Sequence, residues 1–593
     1  MDVNKIISMA RGEMPADLVL KNARIINTFI GEIERGNVAI CGDRIAGVGD
    51  YEKAREVIDL KGNYLAPGLI DGHTHIESSM LHPARYAQAV IPHGTLALVT
   101  DLHEIANVSG LAGVKFFLDW AQNLPLDMLL MVPSCVPATN LETSGAEIDS
   151  RAVKEILAYP NVIGLGEMMN FPGVLSGAKD VLSKLSASKG RVIDGHAPGL
   201  SGRELNAYLS AGILSDHEST TSEEGREKLQ RGMYLMIREG SSEKNLDALL
   251  PLVTDNTYKR CFFVVDDRSC SDLLHEGDID AVVRKAISRG LEPVRAVQMA
   301  TINTAEYFRL HDRGAIAPGY VANLITITDL PKLEIDRVFY GGKLVARQGK
   351  PLFSLPHISP QLTDTVHIRP LTVKSLSLRK AEALSVTKGE RGNLVEGSYP
   401  VIEIVPGQIV TKKRVEKVKV EDGAVIPSVE KDVLKLVVVE RHKASGNIGL
   451  GLVKGFGLRH GALASSVSHD SHNIIAVGTN DFDILKAIEE IDKLKGGLVV
   501  CADQEVLASL PLPVAGLLSP EPLETVVAQF EKVEQAAASL GNLPPAPFSL
   551  LSFLALPVIP ELRLTDLGLV DVATQSLISA SLPKAEKTQK SRP

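Results

Sequence analysis

The sequence predicts an α/β protein that combines a (β/α)8 TIM barrel, a flanking β-sheet and a C-terminal α/β domain. Between residues 66 and 312, continuous runs of Val, Ile and Leu alternate with helical patterns, as buried parallel strands and their connecting helices do. Shorter strand-like segments, separated by turn residues, lie on both sides of this region. A chain of 593 residues is also too long for one compact core, so several domains are expected.

The segments that flank the barrel region predict a second sheet. Strand-like runs at 18–20, 23–26, 36–40 and 44–48 indicate a small antiparallel sheet, and runs at 322–327 and 337–345 are expected to complete it. A Pro-rich linker is expected at 351–370. The expected domains are the two parts of the flanking sheet (1–65 and 313–360), the catalytic barrel (66–312), the C-terminal α/β domain (361–582) and a disordered tail (583–593).

Eight strand-like runs in the barrel region predict eight βα units, which is the number in a TIM barrel. The first run ends just before His73. The others are expected at 97–100, 129–132, 162–165, 191–193, 212–214, 234–237 and 261–265. In such a barrel the functional residues stand at the carboxyl ends of the strands.

Metal-ligating residue types follow these strands at the expected ends. His73 and His75 come first, and residues i and i+2 of an extended segment point the same way, so both imidazoles can reach one metal ion. Later strands are followed by Glu167, His196, His217 and Asp266. Four imidazoles and two carboxylates on one face predict a divalent metal site. The set contains no cysteine and suits Mn(II), Fe(II) and Zn(II) alike.

Composition excludes several classes of protein. The net charge of −9 provides no basic field for nucleic acid or anionic membranes. The N-terminus has no secretory pattern, and no apolar run is long enough to span a bilayer. Five scattered cysteines without a CxxC pair are typical of reduced thiols. We therefore expect a cytoplasmic protein that acts on a small molecule.

The chain resembles the amidohydrolase superfamily over about residues 15–350 and, within it, the bacterial adenine deaminase family over almost its whole length. The resembling motifs are 67–80, 101–107, 164–170, 194–198, 215–218, 266–268, 314–324, 455–461 and 468–473. Many members of the superfamily carry a carboxylated lysine where this chain has Glu167. A carboxylate can bridge two metals without modification, so one metal and two metals both stay open.

This resemblance implies hydrolysis of adenine to hypoxanthine and ammonia in purine salvage, with a metal-activated hydroxide attacking C6. Asp266 is the first candidate for the proton shuttle and Glu167 the second. The resemblance also implies Mn(II) or Fe(II) and a homo-oligomer, a dimer or larger. Two alternatives stay open: a cyclic-amide or amide hydrolase of the dihydroorotase or deacetylase kind, and a non-catalytic scaffold relative.

Further polar residues in the barrel loops are candidates for substrate binding or an auxiliary role: Glu77, Asp101, His103, Glu104 and Arg268. They could bind the purine edge, assist proton transfer or hold a further metal. The alternative is a surface loop with ordinary charges at a helix N-terminus. For Arg268 the alternatives are substrate contact and an ion pair with Asp267. In the C-terminal domain, the segment 469–472 also resembles a ligand cluster and is a candidate lid or subunit contact that reaches the site.

Overall fold

In a computed structural model of the protein, the structure describes residues 2–378 and 395–578. The expected tail, 583–593, lies outside the described residues. Within the described ranges, no helix is both long and apolar enough to cross a membrane.

The N-terminal part forms one helix and five strands: α1 (Val3–Ala10), β1 (Ala16–Asn27), β2 (Glu32–Cys41), β3 (Arg44–Gly49), β4 (Ala54–Asp59) and β5 (Tyr64–Pro67). The two strands expected at 18–20 and 23–26 are one strand, β1, with a bulge between Leu20 and Ala23. Asn22 takes a left-handed conformation at this bulge (φ 59°), which Asn adopts more readily than most residues. Both β4 and β5 pair with β1 in parallel. The sheet is therefore mixed, whereas the sequence predicts an antiparallel one.

Eight parallel strands between Leu69 and Val264 give a TIM-barrel-like α/β unit: β6 (Leu69–Thr74), β7 (Thr95–Asp101), β8 (Asp127–Val132), β9 (Val162–Met168), β10 (Val192–Gly195), β11 (Ser215–Asp216), β12 (Tyr234–Arg238) and β13 (Cys261–Val264). They form a five-stranded sheet, β10-β9-β8-β7-β6, and a three-stranded sheet, β11-β12-β13. Hydrogen bonds link the two sheets at both junctions, from Leu214 N to Ile193 O (3.4 Å) and from Asp266 N to His73 O (2.9 Å). Every residue of β6 and β7 is buried, as expected for strands covered on both faces.

Helices and short 3-10 turns connect these strands. The helices are α2 (Pro83–Val90), α3 (His103–Ala121), α4 (Ser150–Ile156), α5 (Phe171–Ser176), α6 (Lys179–Ala187), α7 (Gly202–Ser210), α8 (Ser222–Gln230), α9 (Leu246–Leu249), α10 (Cys270–His275), α11 (Ile279–Ser288), α12 (Pro293–Met299) and α13 (Ile302–Tyr307). The 3-10 turns are Ile76–Ser79, Ile91–His93, Leu250–Leu252 and Tyr258–Arg260. Because α3 begins directly after β7, its first residues lie at the carboxyl end of the barrel strands.

Four further strands return to the N-terminal sheet: β14 (Leu324–Ile327), β15 (Ile335–Tyr340), β16 (Lys343–Arg347) and β17 (Lys350–Pro351). The strand order is β17-β16-β15-β14-β5-β1-β2-β3, with β4 beside β1. Strands from both sides of the barrel region therefore lie in one sheet, as the sequence predicts. Only Gly68 separates β5 from β6, so this sheet anchors the strand that leads to His73 and His75.

The C-terminal part contains a second nine-stranded sheet in the order β20-β19-β18-β22-β21-β24-β23-β25-β26. After the 3-10 turn Val373–Leu376, the elements of this part are β18 (Val395–Ile404), β19 (Thr411–Glu421), β20 (Ala424–Ile426), β21 (Val433–Val439), β22 (Ile448–Lys454), β23 (Ala462–Ser465), β24 (Ile474–Gly478), α14 (Asp481–Leu494), β25 (Gly497–Ala502), β26 (Glu505–Pro511), α15 (Leu523–Ser539), α16 (Pro547–Phe553), β27 (Leu562–Thr565), β28 (Gly568–Asp571) and β29 (Ser576–Ile578). The last three strands form a separate sheet, β27-β28-β29, and we call β27 and β28 with their turn the final hairpin. A Cβ atom at Gly449 would lie 1.8 Å from Thr565 O, so β22 requires glycine where the final hairpin packs on it.

Candidate metal centre

We call the expectation that functional residues stand at the carboxyl ends of the barrel strands the strand-end rule. The six residues that it selects come together around the Glu167 carboxylate. Its Oε1 lies 3.2 Å from His75 Nε2 and 3.9 Å from His73 Nε2. Its Oε2 lies 2.7 Å from His196 Nδ1 and 3.2 Å from His217 Nε2. Asp266 Oδ1 completes the group, 3.1 Å from His75 Nε2 and 3.4 Å from His73 Nε2. We call these six residues the metal cluster.

The two carboxylates of the cluster are held in their charged form. Burial opposes ionisation of Glu167, but hydrogen bonds from His196 and His217 outweigh burial and hold its pKa well below the usual value. Burial likewise opposes ionisation of Asp266, and His73 and His75 outweigh it and lower the pKa of that carboxyl. Two buried anions among imidazoles are suited to a divalent cation.

The donor atoms fit a bound metal. Overlapping groups of three ligand atoms lie within 4.8 Å of one another, including His73–His75–Asp266 and His73–Glu167–His217. His73 Nε2 is buried and has no hydrogen-bond partner among the described residues, although two carboxylate oxygens lie within 3.9 Å. A nitrogen that shares a cation with those oxygens would be placed in this way.

Asp101 positions three residues around the cluster. Its backbone carbonyl lies 3.0 Å from His75 Nδ1, which directs the other ring nitrogen at the cluster. Its Oδ2 accepts the backbone N–H of Glu167 (2.9 Å), and its Oδ1 accepts that of His103 (3.1 Å). A Cβ at Gly166 would lie 1.8 Å from Asp101 Oδ2, so glycine allows this close approach. Asp101 therefore connects β7 and β9 behind the cluster.

The other auxiliary candidates differ in where they lie. Glu77, His103 and Glu104 are each 5% exposed or less, so they do not lie on the surface, although His103 and Glu104 do stand at the N-terminus of a helix, α3. His103 Nδ1 is 3.6 Å from Glu167 Oε1, and His75, His103 and Glu167 form a further group of potential ligands. Within the described residues Arg268 does not form the expected pair with Asp267, and its contact with substrate stays a prediction. Among the residues that the structure describes, its buried guanidinium bonds to Glu276 (2.8 Å) and to two backbone carbonyls.

Two charged residues at the cluster are missed by the strand-end rule. Arg238 ends β12 and donates to Asp266 Oδ2 (2.8 Å) and to Glu218 Oε2 (3.1 Å). Glu218 follows His217 and lies 3.3 Å from its Nε2. Arg238 could have been found from its position directly after the predicted strand at 234–237. Glu218 follows a predicted ligand and lies within the resembling motif 215–218.

The C-terminal domain reaches residues beside the metal cluster through the segment 469–472. His469 Nδ1 lies 3.0 Å from Glu104 Oε1, and His472 Nε2 lies 3.3 Å from Glu104 Oε2. Asp470 Oδ1 is 3.9 Å from His103 Nε2. The segment 469–472 therefore lies directly beside the residues that follow β7.

Comparison with known proteins gives matches over nearly the whole chain. Residues 64–345 match the amidohydrolase family, and residues 408–576 match the adenine deaminase C-terminal domain. An adenine deaminase from Dehalococcoides mccartyi (strain ATCC BAA-2266 / KCTC 15142 / 195) is 59% identical over 97% of this chain and 99% of its own length. Adenine deaminase 2 from Carboxydothermus hydrogenoformans is 50% identical over 98% and 100%, and an adenine deaminase from Desulfatibacillum aliphaticivorans is 47% identical over 97% and 99%.

Proposed function

The chain belongs to the adenine deaminase family of amidohydrolases, and on this basis we propose that it hydrolyses adenine to hypoxanthine and ammonia. The match to adenine deaminases over nearly the whole chain specifies adenine, and the convergence of four imidazoles and two carboxylates at the strand ends supports metal-dependent hydrolysis. The bond that breaks joins C6 of adenine to its amino nitrogen, and the bond that forms joins C6 to oxygen from water.

The metal cluster would hold a divalent metal through His73, His75, Glu167, His196, His217 and Asp266. Such a metal supplies a nucleophile at neutral pH, because it lowers the pKa of bound water. Glu167, which lies between the imidazoles of β6, β10 and β11, is the residue we assign to the shared ligand position. We further propose Mn(II) or Fe(II), with one metal or two per chain, which metal analysis of purified protein would test.

Asp266 is the residue we assign to proton transfer. Its Oδ2 accepts a hydrogen bond from Arg238, which leaves Oδ1 on the side of the cluster. We propose that this carboxylate takes a proton from the attacking water and delivers it to the leaving nitrogen, so that ammonia departs. Glu167 is the second candidate for this role.

The proposal extends to the architecture. We propose that the eight strands act as one closed (β/α)8 barrel, supported by the hydrogen bonds at both sheet junctions. The boundaries at residues 65, 312 and 360 remain those that the sequence predicts. A homo-oligomer also stays a prediction, and measurement of the native mass in solution would test it.

An ammonia-release assay on Mn(II)-loaded protein tests the function. We expect rapid ammonia release from adenine and little from adenosine, guanine or dihydroorotate. Ring opening of dihydroorotate would instead support a cyclic-amide hydrolase, and it would be measured as a loss of the absorbance of dihydroorotate. If metal-loaded protein releases no ammonia from adenine, the proposed function is wrong.

A further inference from the structure

A cavity of about 370 Å³ lies between the barrel loops and the C-terminal domain. Its barrel side includes Glu77, Glu104 and Asp267, and its C-terminal side includes His469 and Phe553. Asp267 directly follows Asp266 of the metal cluster, so the cavity begins beside the proposed reaction site. Its volume is in the range of small-molecule sites, and domain interfaces are a preferred place for them.

Polar contacts hold the two sides of this cavity together. The Glu104 carboxylate contacts His469 Nδ1 (3.0 Å) through one oxygen and His472 Nε2 (3.3 Å) through the other. Glu104 is 1% exposed and His472 is fully buried. The position of His469 in the cavity wall is therefore fixed by a residue of the barrel.

One residue of the barrel side of the cavity, Glu77, has an acceptor atom without a partner in the described residues. Glu77 is 2% exposed, and its Oε1 accepts the backbone N–H of Ile105 (3.2 Å). Its Oε2 is buried and has no hydrogen-bond partner in the part of the chain that the structure describes. A buried carboxylate oxygen without a partner is costly, and an N–H group of a bound ligand would satisfy it.

The opposite wall of the cavity is aromatic. The rings of His469 and Phe553 are stacked, with centroids 4.6 Å apart and planes 14° from parallel. Phe530 and Phe548 extend this wall from α15 and α16. A flat heteroaromatic ring gains stacking energy against such a surface, whereas a saturated ring does not.

We propose that the C-terminal domain forms one wall of the substrate cavity and that His469 and Phe553 are specificity-determining residues for a planar aminopurine base. The base packs against this aromatic wall while Glu77 accepts one of its N–H groups. This inference rests on the proposed function, and it adds that part of the specificity for the base is supplied by a domain other than the barrel.

The experiment compares Phe553→Leu with Phe553→Tyr, which keeps an aromatic face, and with Phe482→Leu as the matched control. Phe482 lies on α14 of the same domain, is 55% exposed and is not part of the cavity wall. We expect Phe553→Leu to raise the KM for adenine and the Kd for hypoxanthine, measured by calorimetry, by about tenfold or more. Phe553→Tyr should recover most of this loss, and Phe482→Leu should cause none. Metal content should be equal in all variants.

Hypoxanthine binding by Phe553→Leu that equals wild-type binding would overturn the inference. If that variant does not fold, His469→Gln is measured in its place with the same expectation. Failure of the proposed function and failure of this inference can be distinguished. Absence of ammonia release from adenine by wild-type protein refutes the proposed function, while calorimetry still decides whether a purine base binds through Phe553. Wild-type protein that binds neither adenine nor hypoxanthine overturns the inference as well.

Discussion

Asp266 has a left-handed backbone conformation (φ 59°) that few residues other than glycine adopt. Its amide donates to His73 O (2.9 Å) and its carbonyl accepts the N–H of His75 (3.1 Å). The residue is therefore fixed between β13 and β6, and backbone strain of this kind is concentrated at functional sites. Asp and Asn tolerate this conformation better than other side chains that carry a Cβ, so Asn is the substitution that changes the charge and preserves the backbone.

We expect Asp266→Asn to lower kcat for adenine by about 10²- to 10⁴-fold, because an amide cannot accept the proton from the attacking water. Steady-state kinetics on metal-loaded protein, with metal content measured on the same sample, tests this expectation. Near-normal turnover with metal fully bound would contradict the role assigned to Asp266. Asp266→Ala should in addition unfold at a lower temperature, since Ala at this φ is strained.

Arg238 neutralises two carboxylates at the cluster, the buried Asp266 and the largely buried Glu218. Burial opposes ionisation of Glu218, but the Arg238 guanidinium outweighs burial and holds the pKa of Glu218 below its usual value. Arg238→Gln leaves Glu218 and Asp266 without their counter-ion, and removal of one partner of a buried pair costs about 3–5 kcal/mol. We expect a lower melting temperature and a lower kcat. Arg260→Gln, at an exposed arginine that donates to Gly232 O (3.0 Å), is the matched control and should change neither.

At the scale of single elements, the first turn of α11 is held by the buried carboxylate of Asp280. This carboxylate accepts the backbone N–H of Asp278 (2.8 Å) and lies 3.1 Å from His93 Nδ1, with Arg284 also in contact. Burial disfavours the charged form, but His93 and Arg284 outweigh burial, so the pKa of Asp280 lies below its usual value. The stabilisation that follows is complete above the unfolded pKa of about 3.9 and is lost as the pH falls through the folded pKa.

We therefore expect Asp280→Asn to lower the melting temperature at pH 7, with a difference from wild type that shrinks as the pH falls below about 4. Thermal unfolding followed by circular dichroism between pH 3 and 8 measures this difference. Asp255→Asn is the control, since the Asp255 side chain is 87% exposed and its pair with Arg295 contributes little. A difference for Asp280→Asn that does not change with pH would contradict the expectation.

Most barrel strands could be predicted because they contain an apolar run, and β6 and β7 are buried throughout. The run predicted at 212–214 is an exception, since the strand there, β11, is the polar pair Ser215–Asp216 that follows the run. The strand-end rule then selected the residues that meet at Glu167. Arg238 was missed because arginine does not ligate metals, although it follows a predicted strand. The contact of Glu104 with His469 and His472 could not be predicted, since it joins distant parts of the chain and no local pattern specifies it. The same holds for Arg268, whose partner Glu276 is only one of several acidic residues nearby.

At the scale of the whole molecule, the final hairpin of the C-terminal domain holds the barrel loop that follows β8. Asp566 is 2% exposed and accepts the backbone N–H (2.8 Å) and the hydroxyl (2.6 Å) of Thr143. Thr565 Oγ1 donates to Leu141 O (2.6 Å), and Asn473 Nδ2 donates to Thr143 O (2.8 Å). Because Asn473 follows His472, the same contacts that fix this loop also support the segment that borders the substrate cavity.

Asp566→Ala should separate the effect of domain docking from that of the catalytic residues. Loss of the acceptor leaves the Thr143 amide without its partner, at a cost of about 1–3 kcal/mol, and we expect faster hydrogen exchange in residues 139–147 together with a higher KM for adenine. Asp571→Ala is the control, because Asp571 lies on the same hairpin but pairs with Lys413 within the C-terminal domain. Equal exchange in both variants would mean that the hairpin does not hold the loop. A change in exchange without a change in KM would mean that docking at Thr143 is independent of the cavity wall.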